Sequence, residues 1–569
     1  MTFTQWLLFF LVIQLIHFLG TWKLYVKAGR KSWEAIVPIY NGIVLMQIIN
    51  RPKWWVILLF IPVVNLLMFP VIWIETIRTF GFYKKIDSLL VILTLGLYIF
   101  YVNFHHNAKY NAGRSLKPQS ELGEWISSVT FAIVAATLVH TYFMQPFTIP
   151  SSSLEKSLLI GDFLFVSKFH YGARVPSTVI AAPMVHDTIP VPFTGKSYGS
   201  YLSKPQLPAL RFPGFQKIKN NDIVCFNWPA DSLKTMWGDT SGEFTYKPVD
   251  KKTNYVKRCV AIAGDTLEIR NGTIYLNGKK NVLPYRAKIQ FKHIIYSSKG
   301  ISTNKILRYT GKEFERKFTI TFKNQEEYQS IVRHITGLKL LQDNTYELTT
   351  NSYNSLKEVT DRYKSQITEV KTNKRVTNLT LALAEKIRKD SEVDSVIQIV
   401  HDADNAIFPH IESNQWSQDN MGPIYVPKKG VTIAINSANL PYYRQIIELY
   451  ENNNLVVNNE DIYINGKSAR TYTFQQDYYW LMGDNRHNSL DSRYWGFVPF
   501  DHVLGKPVMV WFSWDADAPT FMAKIKSIRW DRMFTTVGGD GEPVSYRYVV
   551  LVLIMAYIAY LYYKKKKLE

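Results

Sequence analysis

The sequence predicts a multi-span α-helical membrane anchor joined to a mainly β domain that carries an α+β insertion. Three observations predict it. Long apolar segments crowd the first 144 residues and recur once near the C-terminus. From Phe147 to about Pro543 the texture changes to short β-like runs between turns. Within that block, over about 280–455, helix-period patterns interleave with the strands.

Five segments are long and apolar enough to cross a bilayer, or nearly so: Trp6–Tyr25, Trp54–Ile74, Leu89–Asn103, Trp125–Met144 and Tyr548–Tyr563. Ala35–Ile49 is also apolar, but Pro38, Asn41 and Gly42 interrupt it, so it reads as an interfacial or re-entrant piece. The N-terminus lacks the basic n-region and small-residue cleavage site of a removable signal peptide. Lys and Arg set the orientation. Lys23, Lys27, Arg30, Lys31, Arg51 and Lys53 form one basic group, Lys109, Arg114 and Lys117 a second, and Lys564–Lys567 a third. Five alternating spans put all three on the cytoplasmic side and Gln145–Arg547 outside. The loop with Arg78, Lys84 and Lys85 then also falls outside, against the rule. A composition of 47% hydrophobic and 14% aromatic residues excludes a disordered or fibrous chain. The net charge is +21, spread along the chain and set beside apolar spans, which points to anionic lipid rather than nucleic acid.

In the β block, Asp222–Trp228, Asn254–Ala263, Thr266–Ile269, Tyr478–Gly483 and Lys506–Trp514 read as strands. Ile274–Gly278 and Ile462–Gly466 share the pattern of a β-run ending in Asn-Gly, a pair that takes positive φ at both central positions of a tight hairpin. Between the hairpins, strands are expected at Phe318–Phe322, Leu338–Leu341 and Ser395–Val400, and helices at Gln325–Ile335, Leu379–Arg388 and Leu440–Glu451. Asn439 is placed to cap the last helix and Pro441 to sit in its first turn. The resulting layout is a multi-span region at 1–122, a transmembrane helix at 123–146, a β domain in two parts at 147–280 and 456–530 around an insertion at 281–455, a linker at 531–547, a transmembrane helix at 548–563 and a basic tail at 564–569. The only cysteines, Cys225 and Cys259, lie in apolar strand-like runs. They fit either two buried thiols or one disulfide between neighbouring strands, and they cannot build a zinc site.

Three clusters carry chemistry: Gln145–Asp162 (QPFTIPSSSLEKSLLIGD), Asn254–Asp265 (NYVKRCVAIAGD) and Met482–Pro499 (MGDNRHNSLDSRYWGFVP). A serine hydroxyl needs a base within reach, and a lysine serves only if its pKa falls from about 10.4 towards neutrality. Tyr255, Val256, Val260, Ala261 and Ile262 give Lys257 the apolar surroundings that lower it. In their order and content the clusters resemble the boxes of type I signal peptidases, Ser-Lys dyad serine endopeptidases. Asn221–Phe226 resembles the strand box between the first two.

The resemblance covers roughly 145–270 and 470–515 and implies a signal-peptidase-like β fold for the catalytic domain. It implies Ser153 as nucleophile and Lys257 as general base. It places the Ser151 hydroxyl in an oxyanion hole with the Ser153 N–H, and Ser489 where a hydroxyl orients the lysine. Gly483 lets the backbone pass close to the dyad, Asp484 belongs to the supporting shell, and Asp491 and Arg493, two apart on an extended chain, share a face and pair. Leu154 and Lys156 replace the family's Met and Pro, which bears on the pocket's shape; Ser157 holds its Thr-or-Ser place, and His487 stands where Asp is usual. No cofactor, metal or catalytic histidine is implied; His401 and His410 read as structural.

The implied partners are secretory precursors cut at small-x-small sites, the lipid bilayer and the translocation machinery, with the catalytic domain on the extracytoplasmic side of a bacterial cytoplasmic membrane. Two other readings compete. Ser153-Leu-Glu-Lys156 also fits the S-x-x-K motif of penicillin-binding enzymes, with Ser437-Ala-Asn439 as its S-x-N, although K-T-G is absent. A non-enzymatic membrane-anchored binding module is the other, and the joint presence of Ser153, Lys257 and Ser489 argues against it.

Overall fold

The computed structural model describes residues 2–568 except 119, 192, 195, 234–242, 311–313, 333–334, 336, 351–355, 357–360, 362–365, 412–413 and 460. Among the described residues, three helices are long and apolar enough to cross a membrane: Phe3–Lys27, Glu121–Phe143 and Arg547–Lys567. Thr2 and Gln5 form a capping box that starts the first, and Ser120 caps the second through the Gly123 N–H. The second and third expected spans are not continuous helices. Trp54–Ile74 becomes Trp55–Leu58 and Val64–Thr79, parted at Pro62, which cannot continue a helical ladder, and Val63, at φ 69°. Leu89–Asn103 becomes the end of Lys85–Leu93 and the whole of Tyr98–Phe104. The first of these stops where Leu95 and Gly96 turn left-handed and the Gly96 N–H closes on the Val91 carbonyl. The Ala35–Ile49 piece holds one helix, Tyr40–Ile48, about 14 Å long and so less than half a bilayer core. Val44, Met46 and Ile49 bury it against Leu24, Tyr25 and Phe80.

The main sheet is antiparallel and takes its strands from both ends of the β block. In spatial order its path runs Met144–Thr148, Asp162–Ser167, Val503–Ser513, Ile223–Asn227, Asn254–Ala261, Tyr478–Met482 and Val498–Pro499. The expected hairpins form two-residue turns: Leu276 pairs Lys279 and Ile464 pairs Lys467, with Asn277, Gly278, Asn465 and Gly466 all at φ 51–78°.

The expected insertion contains two small sheets. Gln290–Tyr296 lies between Lys374–Thr380 and Ser395–Gln398, covered by the helix Leu381–Arg388 around Ile295, Leu379 and Ile387. An outer sheet of Lys339–Gln342, Thr345–Thr350, Arg316–Thr321 and Gln366–Glu369 has its own core of Phe318, Ile320, Phe322 and Leu348. Residues from about 400 onward behave differently. Met421–Tyr425 pairs with Thr266–Arg270, and Ile407, Phe408, Tyr443 and Ile447 pack with Val260 and Trp480 of the main sheet. The helix expected at Leu440–Glu451 is α-helical to Gln445 and then widens into a π-type turn over Ile446–Tyr450. Pro441 sits in its first turn, but Asn439 does not cap it, because its Oδ1 is taken by the Asn436 N–H.

Cys225 and Cys259 are buried free thiols. The disulfide alternative fails on register: Cys225 lies opposite Val256, so Cys259, three residues further along, faces the other side of the sheet. Their side chains accordingly join different cores, Cys225 with Val166 and Leu504, Cys259 with Phe226 and Leu481.

Candidate active site

Lys257 sits mid-strand, with Val224 opposite on one side; on the other, its strand pairs with Tyr478–Met482. The strand Met144–Thr148 delivers the serine cluster to this spot, and Ser152–Leu154 forms a single 3₁₀ turn. Leu154 and Leu158 plunge into a core with Ile149, Leu164, Ile223 and Val510, which pins that turn. The departure at 154 is therefore an apolar anchor. Ser153 and Lys257 are 8% and 5% exposed, and Lys257 Nζ lies 2.6 Å from Ser153 Oγ. Burial pulls the Lys257 ammonium down from the usual lysine range to about 8. Asp491 and Asp484 resist that fall, and Arg493 adds to it. A drop of that size is worth roughly 3 kcal/mol between the two protonation states.

The third cluster folds over the dyad. The Asn485 N–H donates to the Ser153 carbonyl (3.0 Å). Asn485 Nδ2 donates to the Ser152 carbonyl (3.2 Å) and Asn488 Nδ2 to Ser152 Oγ (2.6 Å). Gly483 is wedged so tightly that a Cβ there would strike the Ser489 hydroxyl and lie 2.6 Å from the Ser153 carbonyl oxygen. Asp484 receives a bidentate bond from Arg258 (2.7 and 2.6 Å) and the Ser157 hydroxyl (2.5 Å). Burial alone would raise the Asp484 and Asp491 carboxyls, but Arg258 and Arg493 respectively outweigh it and hold both below the usual range. Asp491 and Arg493 pair through two bonds of 2.8 Å, as expected, but not on an extended chain. Asp491 caps the short helix Ser492–Trp495 that contains Arg493, and it also accepts the Gly483 N–H.

Ser151 is exposed at the start of the 3₁₀ turn, and its hydroxyl meets no described residue. Ser489 lies in the site, but its buried hydroxyl has no hydrogen-bond partner and makes no bond to Lys257. Lys156 is exposed at φ 69° and is not bonded to Ser153. The chain after Leu154 turns extended at Glu155, so the i, i+3 geometry that S-x-x-K needs is absent.

Asn485, Asn488, Arg258 and Gln290 were missed by sequence reasoning. Arg258, next to Lys257 and facing an Asp-rich cluster, carried a signal; Gln290 carried none. The Gln290 side chain donates to the Glu155 carbonyl (2.8 Å) and its N–H to the Asp484 carbonyl (2.8 Å), which ties the first strand of the insertion to both catalytic loops. The same strand donates the Lys292 N–H to His487 Nδ1 (3.0 Å). His487 Nε2 meets Asp419 Oδ1 (2.8 Å), and His401 Nδ1 meets Oδ2 (3.0 Å). Their ligand atoms cluster closely enough for a metal, yet the wiring opposes one. With Nδ1 accepting a backbone N–H, Nε2 must carry the proton, whereas a metal-bound imidazole donates from its other nitrogen. His401, Asp419 and His487 form a hydrogen-bonded strut.

The family described as Signal peptidase, peptidase S26, matches residues 122–375 and 426–514, well over half of the chain. A family of unknown function matches residues 33–112. Signal peptidase I of Buchnera aphidicola subsp. Schizaphis graminum is 24% identical over 392 residues, 68% of this chain and 73% of that protein. Signal peptidase I of Helicobacter pylori strain 26695 is 23% identical over 421 residues, 73% of this chain and 92% of that protein. Signal peptidase I of Haemophilus influenzae is 29% identical over 160 residues, 26% of this chain and 36% of that protein.

Proposed function

The chain belongs to the signal peptidase family, peptidase S26, and is a serine endopeptidase acting on signal-peptide-bearing precursors; from that premise we propose that Ser153 attacks and Lys257 is its base. The observation that carries this is the 2.6 Å contact between a buried hydroxyl and a lysine that burial brings to about 8. Neutral Lys257 takes the Ser153 proton as Oγ bonds to the scissile carbonyl carbon. The oxyanion forms opposite the Ser153 N–H and the unpartnered Ser151 hydroxyl. The lysinium then protonates the leaving amine, and a water deprotonated by Lys257 releases the acyl group from Ser153.

Gly483 sets the approach of the two loops, Asp484 and Asp491 hold it through Arg258 and Arg493, and Ser489 offers a hydroxyl that can turn towards Lys257. Small residues before the cut, a bacterial cytoplasmic membrane and an extracytoplasmic catalytic domain complete the reading. Its support is the placement of Ser153 nine positions beyond Met144, next to the spanning helix, and the basic residues flanking the apolar segments. The insertion, anchored at Gln290, is a candidate dock for the translocation machinery.

Cleavage of a precursor with an Ala-x-Ala junction by detergent-solubilised protein tests the assignment. Ser153→Ala and Lys257→Ala are expected to abolish cleavage and Lys156→Ala to leave most of it. An active Lys257→Ala with a dead Lys156→Ala would overturn it.

A further inference from the structure

Where the helix Glu121–Phe143 meets the main sheet, a half-open cavity of about 160 Å³ lies. Lys168, the residue after the strand Asp162–Ser167, projects into it. It is only 5% exposed, and its ammonium has no hydrogen bond or ion pair among the described residues. A buried, unpaired cation is costly, and the amine either sheds its proton or gains a counter-ion.

The surroundings offer none. Asp250, the cavity's carboxylate, is already bonded to the Ser177 hydroxyl and to the Thr178 N–H and hydroxyl. Arg174 and Lys251 add positive charge. Their own donors go to the Asp501 carbonyl and Asn227, and to the Val185 carbonyl. Of the two histidines, His186 meets the Lys252 carbonyl and His140 belongs to the apolar helix. Burial accordingly holds Lys168 down to about 7; the neighbouring Cys225 resists the fall, and Arg174 and Arg211 add to it. Val63, the N-cap of Val64–Thr79, and Thr137 of the helix Glu121–Phe143 also line the cavity.

We propose that this cavity binds the phosphate of an anionic phospholipid headgroup, with Lys168 as its counter-ion and the acyl chains lying along the exposed apolar face of the helix Glu121–Phe143. The charge selects an anion, and the position beside the apolar helix Glu121–Phe143 favours a lipid over a free phosphate. The proposal rests on the reading that Glu121–Phe143 spans the membrane.

The test uses the full chain in a neutral detergent, offered phosphatidylglycerol, phosphatidylcholine or inorganic phosphate, with bound lipid read by native mass spectrometry and stability by thermal unfolding. The wild type is expected to retain phosphatidylglycerol, release phosphatidylcholine and gain thermal stability from the anionic lipid alone. Lys168→Met is expected to lose that retention while cleaving precursor in detergent at the wild-type rate. Equal retention of the two lipids by the wild type, or undiminished retention by Lys168→Met, would overturn the proposal. So would equal stabilisation by inorganic phosphate, which would assign the cavity to a free anion. Flotation with vesicles separates this from the membrane reading: a chain that floats with neither lipid fails the latter.

Discussion

Four lysines are buried among the described residues, and the surroundings of two of them, Lys257 and Lys168, diverge. Lys257 and Lys168 are each 5% exposed, and burial brings both far below the usual lysine range, to about 8 and about 7. Lys257 has a serine hydroxyl at 2.6 Å and two paired carboxylates nearby. Lys168 has a cavity, two arginines and a thiol among its neighbours and, among the described residues, no bond from its ammonium. A lowered pKa is thus no signature of catalysis by itself: it marks a desolvated amine, and the group facing the amine decides whether that becomes proton transfer or anion capture.

The largest test of this contrast is the matched pair Lys257→Met and Lys168→Met. The first is expected to lower precursor cleavage about 1000-fold or more, and the second to leave it within about twofold. Equal losses would erase the distinction. Gly483→Ala leaves both lysines in place but pushes Ser489 and the Ser153 carbonyl apart. A displacement of about 1 Å at a reacting group costs about 100-fold, so kcat is expected to fall by that order with KM little changed.

pH sharpens the comparison further. Lys257 must be neutral to accept a proton, so kcat/KM is expected to rise tenfold per pH unit below about 8 and level off above it, in both the wild type and Lys168→Met. The smallest effect is on stability. Lys168 binds its proton more weakly folded than unfolded, so between about pH 7 and its unfolded value near 10.4 the unfolded chain holds more protons. This part of the stability therefore rises with pH across that window, and the burial penalty is fully present below it. Lys168→Met is expected to stabilise the lipid-free protein by roughly 2 kcal/mol at pH 7 and to flatten that slope, read by denaturant unfolding at several pH values.

The contact of Ser153 with Lys257 was legible because both residues lie in long, unusual local strings, and the two hairpins because Asn-Gly dictates a backbone conformation where it stands. What was not legible depends on continuity or on partners far away in the chain. Hydropathy counts apolar residues but does not see that Pro62 and Leu95-Gly96 cut two of the expected spans. The alternation of Asp491 and Arg493 suggested a strand, whereas the Asp carboxylate accepting the Arg493 N–H starts a helical turn. The family's pattern placed Ser489 beside the lysine but could not show that its hydroxyl stands unbonded. Gln290 lies in an otherwise ordinary strand, and its hold on Glu155 and Asp484 spans distances no local pattern encodes. The segment from about 400 looked like more insertion because its helix resembles the others, yet its apolar residues complete the main core.

The main sheet joins Asp162–Ser167 to Val503–Ser513, and the Ser513 hydroxyl bonds Asp162 across 351 positions. A ribosome needs roughly 20–70 s to cover that distance. For most of that interval Ser153 and Lys257 already exist as peptide, while the strand that closes the sheet, and Gly483 with its neighbours, are still to be made. The site is therefore incomplete until the strand Val503–Ser513 emerges, when loop closure over hundreds of residues draws the two halves of the sheet together. An order of assembly written into strand connectivity keeps an unfinished chain from cutting anything beside it.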